Sequence, residues 1–205
     1  MTDARDEIFA RIRAALKPLE ARTTLPTFDA SVAIARHAQA MPDLVAAFTQ
    51  VLEAVHGRAF RDLTALAAWL RTKEATLGYV DPEVLAALGP VFATELTLET
   101  SFSRARVDDY HFGITRAAGA IAESGTIILD DRSTPVRLAA LAPWIHIAVV
   151  PRSRIHACIP DAISALGDDA NIIWCTGPSK TADVEGILIE GVHGPGEQVA
   201  LIVDG

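Results

Sequence analysis

Ile145-His146-Ile147-Ala148-Val149-Val150 (IHIAVV) decides the fold. A strand with one face in water alternates apolar and polar residues, whereas a strand covered on both faces reads as a continuous apolar run. This run does not alternate, so it predicts a central strand of a sheet with helices on both sides. His146, its one polar residue, reads as a core histidine satisfied by its neighbours.

Asn171 to Cys175 (NIIWC) shows the same pattern and is expected as a second buried strand. Further strands are expected at Gly113 to Thr115, Thr126 to Leu129, Ile187 to Val192 and Val199 to Val203. Helices are expected at about Arg137 to Leu141 and Ile155 to Leu166. Upstream, helix and strand patterns take turns. A helix runs from Asp43 to about Val55 and is stopped by Gly57. A strand comes next at Arg58 to Phe60, then a helix from Asp62 with Leu63, Leu66, Ala67 and Leu70 on one face. Thr76 to Val80 reads as a strand, and Asp81-Pro82 opens a helix expected to end at Gly89. Such alternation specifies an α/β fold, a parallel or mixed sheet covered by helices. Residues 1–42 stand apart as a short amphipathic helix with Ile8, Phe9, Ile12 and Leu16 at helical spacing, then a connection. Residues 43–205 form the α/β domain.

The chain has 205 residues, 50% hydrophobic and 21% charged, which suits one domain with a sizeable core. Its net charge of -8 opposes nucleic-acid backbones and anionic lipids, so neither is expected as a partner. The apolar runs are far shorter than the ~20 residues a membrane helix needs. The charged N-terminus lacks the apolar core of a signal peptide, and a cytoplasmic location is expected. Cys158 and Cys175 are not in a CxxC pair and read as buried small hydrophobes. Two thiols fall short of the set an iron–sulfur cluster takes, so no cluster is expected on this chain. His37, His56, His111 and His156 lack metal-ligand spacing, and no metal is expected either.

Three turn-rich segments carry the candidate chemistry. Gly113 to Leu129 (GITRAAGAIAESGTIIL) reads as strand, short Ala-rich helix, tight turn, strand. In its turn Gly125 permits a positive φ, Ser124 and Thr126 add hydroxyls beside exposed amides, and Glu123 adds a carboxylate. The plain alternative is a glycine-stopped helix end with a surface Glu. Thr176 to Glu185 (TGPSKTADVE) comes directly after the strand NIIWC, and ligands of open α/β sheets gather at carboxyl ends of strands. There Gly177-Pro178 turns the chain, Ser179 or Thr181 can cap the next turn, and Asp183 and Glu185 lie behind. Lys180 sets a cation beside free amides, which suits a phosphate or carboxylate. The spacing is not that of a Walker loop. Gly191 to Glu197 (GVHGPGE) holds His193, a candidate acid, base or donor, in what otherwise reads as a turn between two strands. Arg137 can clamp a carboxylate or sit in a surface salt bridge.

Together these segments resemble the LUD-domain family, of the lactate utilization protein C (LutC/YkgG) type. The resemblance rests on Thr115 to Thr126, Arg137, Leu138 to Pro143, His146 to Val150, Thr176 to Glu185 and Gly191 to Pro195, in that order. It departs at Ala118, where the family carries an acid, at Ser124 for Thr, and at Lys180 where Arg is common. The resemblance implies a fold like that of ribose-5-phosphate isomerase and the CoA transferases (NagB/RpiA-like). It implies a cluster-free subunit of an assembly that oxidises L-lactate to pyruvate, with iron–sulfur clusters on partner proteins. A small carboxylate is the expected ligand. Glu123 and His193 would move protons. Ser124, Gly125, Thr126, Arg137, Thr176, Gly177, Ser179, Lys180, Thr181, Asp183 and Glu185 would line the site. Two alternatives stand beside this: a stand-alone isomerase- or CoA-transferase-like enzyme using Glu123, and a non-catalytic module docking a partner through its N-terminal helix.

Overall fold

The structure, a computed structural model, describes residues 4–16, 42–93, 96–166, 171–182 and 188–204. The chain divides into two units, residues 1–33 and 34–205. In the first, α1 (Ala4–Leu16) carries Asp6 and Glu7 in its first turn and Arg13 in its last, the order a helix dipole favours. Arg5 and Arg13 both lie over the Phe9 ring, at 5.4 and 5.9 Å from its centroid. Most of the expected connection, residues 17–41, lies outside the described residues.

The second unit contains, in chain order, α2 (Leu44–Ala54), β1 (Arg58–Phe60), α3 (Leu63–Thr72), β2 (Leu77–Val80), α4 (Pro82–Ala93), β3 (Thr97–Glu99), β4 (Phe112–Arg116), β5 (Gly119–Ile121) and β6 (Thr126–Leu129). It continues with α5 (Arg137–Leu141), β7 (Ile145–Pro151), β8 (Ile155–His156), α6 (Ile159–Ala165), β9 (Ile173–Thr176), β10 (Lys180–Ala182), β11 (Leu188–Glu190) and β12 (Glu197–Val203). Six strands form a sheet in the order β1-β12-β7-β4-β2-β3, every pair parallel. A four-stranded sheet, β8-β5-β6-β9, and the hairpin β10-β11 complete the strands. The architecture is α/β, with a parallel sheet flanked by helices.

Local chemistry sets where the helices begin. Asp43 Oδ1 accepts from the amides of Val45 and Ala46, at 3.0 and 3.1 Å, and Asp62 Oδ1 accepts from that of Ala65 at 2.7 Å. Both are N-caps that satisfy otherwise orphaned donors. The left-handed residue after α2 is His56 (φ 71), and the Gly57 amide closes back on the Leu52 carbonyl at 2.8 Å. Alternate residues of β7 and β12 feed two cores. Ile147, Val149, Val199 and Leu201 meet Leu66 and Leu70 of α3 and Phe92 of α4. Ala148, Val150, Ala200 and Ile202 meet Phe48 and Leu52 of α2 together with Ile127 and Leu129 of the smaller sheet.

The central reading of IHIAVV therefore holds, and its histidine is paired. His146 is fully buried, with Nδ1 2.9 Å from Gln198 Nε2 and Nε2 2.9 Å from Thr115 Oγ1. With the amide donating, the ring proton sits on Nε2 and goes to Thr115.

Four expectations need correction. The Ala-rich stretch after β4 is not helical, with Gly119–Ile121 forming β5, because its backbone groups are claimed by neighbours: the Ala117 amide donates to Val149 O and the Ala118 amide to Ile128 O, at 3.0 and 2.8 Å. Small side chains are what a strand buried between β6 and β8 accommodates, and this outweighs alanine's helix propensity. NIIWC supplies an edge strand, not a central one: β9 pairs with β6 alone among the described strands, and Trp174 is 39% exposed. α4 runs through Gly89 to Ala93, since burial of Leu88 and Phe92, one turn apart, exceeds the roughly 1 kcal/mol a helical glycine costs. The segment before β12 is no hairpin with it: β11 pairs with β10, while β12 lies parallel between β1 and β7. In addition, β3 has no counterpart among the expected strands, and the helix expected from Ile155 begins at Ile159, after β8.

Cys158 is buried and Cys175 half-buried, both as free thiols. Burial pushes both upward, Cys175 to about 11. Burial likewise drives the His146 imidazole down to about 4, with the Gln198 hydrogen bond acting weakly the other way. The unfolded chain, whose histidine titrates near its ordinary 6.5, then binds the extra proton between those values. His146 thus contributes stability above pH 6.5 and loses it as pH falls toward 4, by about 3 kcal/mol in all. Urea unfolding at pH 7, 5 and 4 is expected to show this loss, and His146→Asn is expected to flatten that part of the profile.

Candidate functional site

The antiparallel pairing of β6 and β9 places Thr126 opposite Thr176. Ser124 Oγ lies 2.7 Å from Thr126 Oγ1, which lies 2.8 Å from Thr176 Oγ1. Thr126, in the middle, is buried and Thr176 is exposed, so the file of three hydroxyls reaches the surface at Thr176. The turns that carry them both press on the end of α2. A Cβ on Gly125 (φ 64) would stand 2.6 Å from Leu52 N, and one on Gly177 (φ 74) would stand 2.2 Å from the Val55 carbonyl oxygen. Glycine is required at both on two counts, conformation and space.

Lys180 and Glu190 are register partners on β10 and β11. The Lys180 ammonium lies 3.4 Å from the Val55 carbonyl at the C-terminal end of α2 and 3.4 Å from Glu190 Oε1. Glu190 also pairs with His56 Nδ1 at 2.7 Å. Its carboxyl is held below the usual range chiefly by His56 and further by Lys180, against the effect of burial. Ser179 ties this loop to the next: its amide donates to Pro195 O and its carbonyl accepts from Gly191 N, each at 2.9 Å. The turn 123–126 and the loop 176–180 thus form a seam along the end of α2, and the loop 191–195 joins it through Ser179.

Two expected residues have other attachments. Glu123 Oε1 accepts from the Ile159 amide at 2.8 Å, which makes it a cap on α6. Arg137 pairs with Asp131 at 2.6 Å, the surface salt bridge of the alternative reading. His193 is exposed and faces a cleft of about 410 Å³ at the amino ends of the parallel strands, shared with His111, Asp108 and Tyr110. Trp144 forms one wall of it, packed against Gly191 (φ 79) and Gly196. Thr181 lies in β10 opposite Ile189. Asp183 and Glu185 lie outside the described residues.

Topology draws attention to residues that no motif marks. The chain leaves β2 for β3 on one side and leaves β4 for β7 on the other, so the carboxyl ends of β2 and β4 flank a topological switch point. Open α/β sheets bind ligands at such points. Asp81, buried at the end of β2, sits 3.2 Å from Arg116 Nε at the end of β4, and Glu83 holds Arg116 Nη1 at 2.6 Å. Arg132, Arg154 and His156 gather beside them. The one hint in the sequence, Asp81-Pro82, reads there solely as a helix start.

Comparison with known proteins agrees with this fold. The LUD domain family model matches residues 68–203. Proteins named lactate utilization protein C match over shorter stretches. The one from Deinococcus radiodurans is 36% identical over 110 residues, 51% of this chain and 52% of that protein. That of Macrococcus caseolyticus is 37% identical over 100 residues, 45% and 43%. That of Bacillus subtilis is 34% identical over 106 residues, 48% and 44%. The matched stretch thus spans about half the length of these curated relatives. A crystal structure of a DUF162 family protein from Deinococcus radiodurans superposes with a TM-score of 0.57 at 22% identity, covering 78% of this chain and 96% of that one.

The seam makes a direct prediction about stability. Gly177→Ala adds a Cβ where φ is positive and where the α2 carbonyl is in the way, and is expected to cost about 2–4 kcal/mol in urea unfolding. Glu123→Ala removes one helix-cap bond and is expected to cost about 1 kcal/mol in the same measurement.

Proposed function

The chain belongs to the LUD-domain family, and on that premise we propose that it serves lactate utilization, as one subunit of an iron–sulfur assembly that oxidises L-lactate to pyruvate. The observation that carries this reading is the alignment with proteins named lactate utilization protein C. The seam is built from the motifs on which the family resemblance rests.

The clusters belong on partner proteins. Among the described residues no three His, Cys, Asp or Glu side chains gather as a metal site. Both thiols are pushed up by burial, the reverse of what thiolate ligation requires. Two thiols, fewer than a cluster takes, support placing the clusters on partner proteins. Its part is to hold the organic acid. The Thr176 hydroxyl and the Lys180 ammonium offer donors to a carboxylate. The Lys180 contacts, both at 3.4 Å, are long enough to give way to a shorter charge-assisted bond. His193 and Glu123 are the candidate proton acceptors: the His193 loop is tied to Ser179, and Glu123 Oε1 holds the α6 amide.

The test is reconstitution. L-lactate oxidation by the iron–sulfur partner proteins is measured with and without the full chain, and is expected to require it. Lys180→Ala is expected to lower the rate at limiting lactate about tenfold, the scale of one charge-assisted hydrogen bond. Equal rates with the chain left out would overturn the subunit reading.

A further inference from the structure

Beyond the last residues of β4 and β7 lie two adjoining cavities, of about 560 and 350 Å³, that share Arg116, Ser133 and Arg154. The larger is polar, with Arg132, His156 and Ser153 on its walls. The smaller adds an apolar surface from Val84, Ala87, Val149 and Val203. Together they occupy the switch point and fall within the size range of small-molecule sites.

The charges in this cleft are unevenly answered. Arg116 is held by Asp81 and Glu83. Asp130 accepts from the Ser133 amide at 2.6 Å, and Asp204 is turned to Arg152 at 3.5 Å. Arg132 and Arg154 have no carboxylate within ion-pair distance among the described residues; Arg154 Nη1 reaches only the Ala118 carbonyl, at 3.4 Å. Two guanidinium groups that no carboxylate among the described residues answers share one cavity in a chain whose net charge is -8.

The walls are also fixed in place. Thr134, buried, donates its hydroxyl to the Arg116 carbonyl at 2.6 Å and its amide to Asp130 O at 2.9 Å, which pins the turn carrying Arg132 and Ser133 to the end of β4. On the opposite wall Gly119 leaves room for the neighbouring strand: a Cβ there would stand 2.8 Å from the Arg154 carbonyl oxygen and 3.3 Å from His156 Nε2. The His156 imidazole lies below its ordinary value, through burial first and the nearby Arg154 charge as well, with Asp161 opposing. It therefore serves as a neutral donor or acceptor near pH 7.

We propose that this cleft binds a phosphate monoester with an apolar body, the phosphoryl group on Arg132 and Arg154 and the body along Val84, Ala87, Val149 and Val203. Charge decides the head group. A phosphate monoester carries about -1.5 to -2 near pH 7 and answers both guanidinium groups, whereas a single carboxylate leaves one of them unanswered. Guanidinium forks also match phosphate oxygens in geometry. The site is separate from the seam and does not rest on the lactate reading.

Isothermal titration calorimetry on the full chain tests this with three probes: phenyl phosphate, inorganic phosphate and benzoate. Phenyl phosphate is expected to bind more tightly than either of the others. Arg132→Ala and Arg154→Ala are each expected to weaken it about tenfold or more. Both side chains are exposed, so thermal melting monitored by circular dichroism is expected to be unchanged in either variant. Lys180→Ala, which probes the seam, is expected to leave phenyl phosphate binding intact, so failure here and failure of the lactate reading are read separately. The proposal is overturned by no binding of phenyl phosphate, by binding that survives the double arginine substitution, or by benzoate binding as tightly.

Discussion

Burial of β7 on both faces sets the terms for the rest of the domain. Its backbone groups are taken by β4 and β12, and its side chains alternate into two cores. No room is left in the sheet for a polar group that lacks a partner. His146 is tolerated because Thr115 and Gln198 meet its two nitrogens from the adjacent strands. Such a sheet offers chemistry at its ends alone. The His111–His193 cleft lies at the amino ends, and the arginine cleft lies at the carboxyl ends.

Where sequence reading succeeds, a local rule and the tertiary environment point the same way. IHIAVV lacks alternation because both of its faces are covered, and Asp43 and Asp62 announce helices because their carboxylates cap them. Where it fails, the two disagree. Ala117 to Ile121 has helix-forming residues but lies between strands whose backbone groups claim its own. Ile173 to Cys175 is apolar enough for a core, yet lies at a sheet edge where Trp174 is left in solvent. Neither outcome is visible without knowing the neighbours.

The two candidate sites differ in legibility for a similar reason. The seam consists of contiguous motifs, with Gly125 and Gly177 pressed on α2, so each turn is visible in the chain even though their meeting is not. The arginine cleft is assembled from residues near 81–83, 116, 130–134 and 154–156, brought together by crossovers, and carries no spacing to recognise. Glu123 illustrates a contact that spacing does not reveal: its Oε1 accepts from the Ile159 amide, 36 residues further along the chain, at the first turn of α6.

The shielded thiols carry a consequence for how the protein ages in use. At neutral pH, with its thiol near 11, Cys175 exists as thiolate in only about one molecule in ten thousand. Peroxide and alkylating agents attack the thiolate, and Cys158 is shielded in the same sense. Toward reagents that attack thiolates, both cysteines of this chain are therefore chemically quiet.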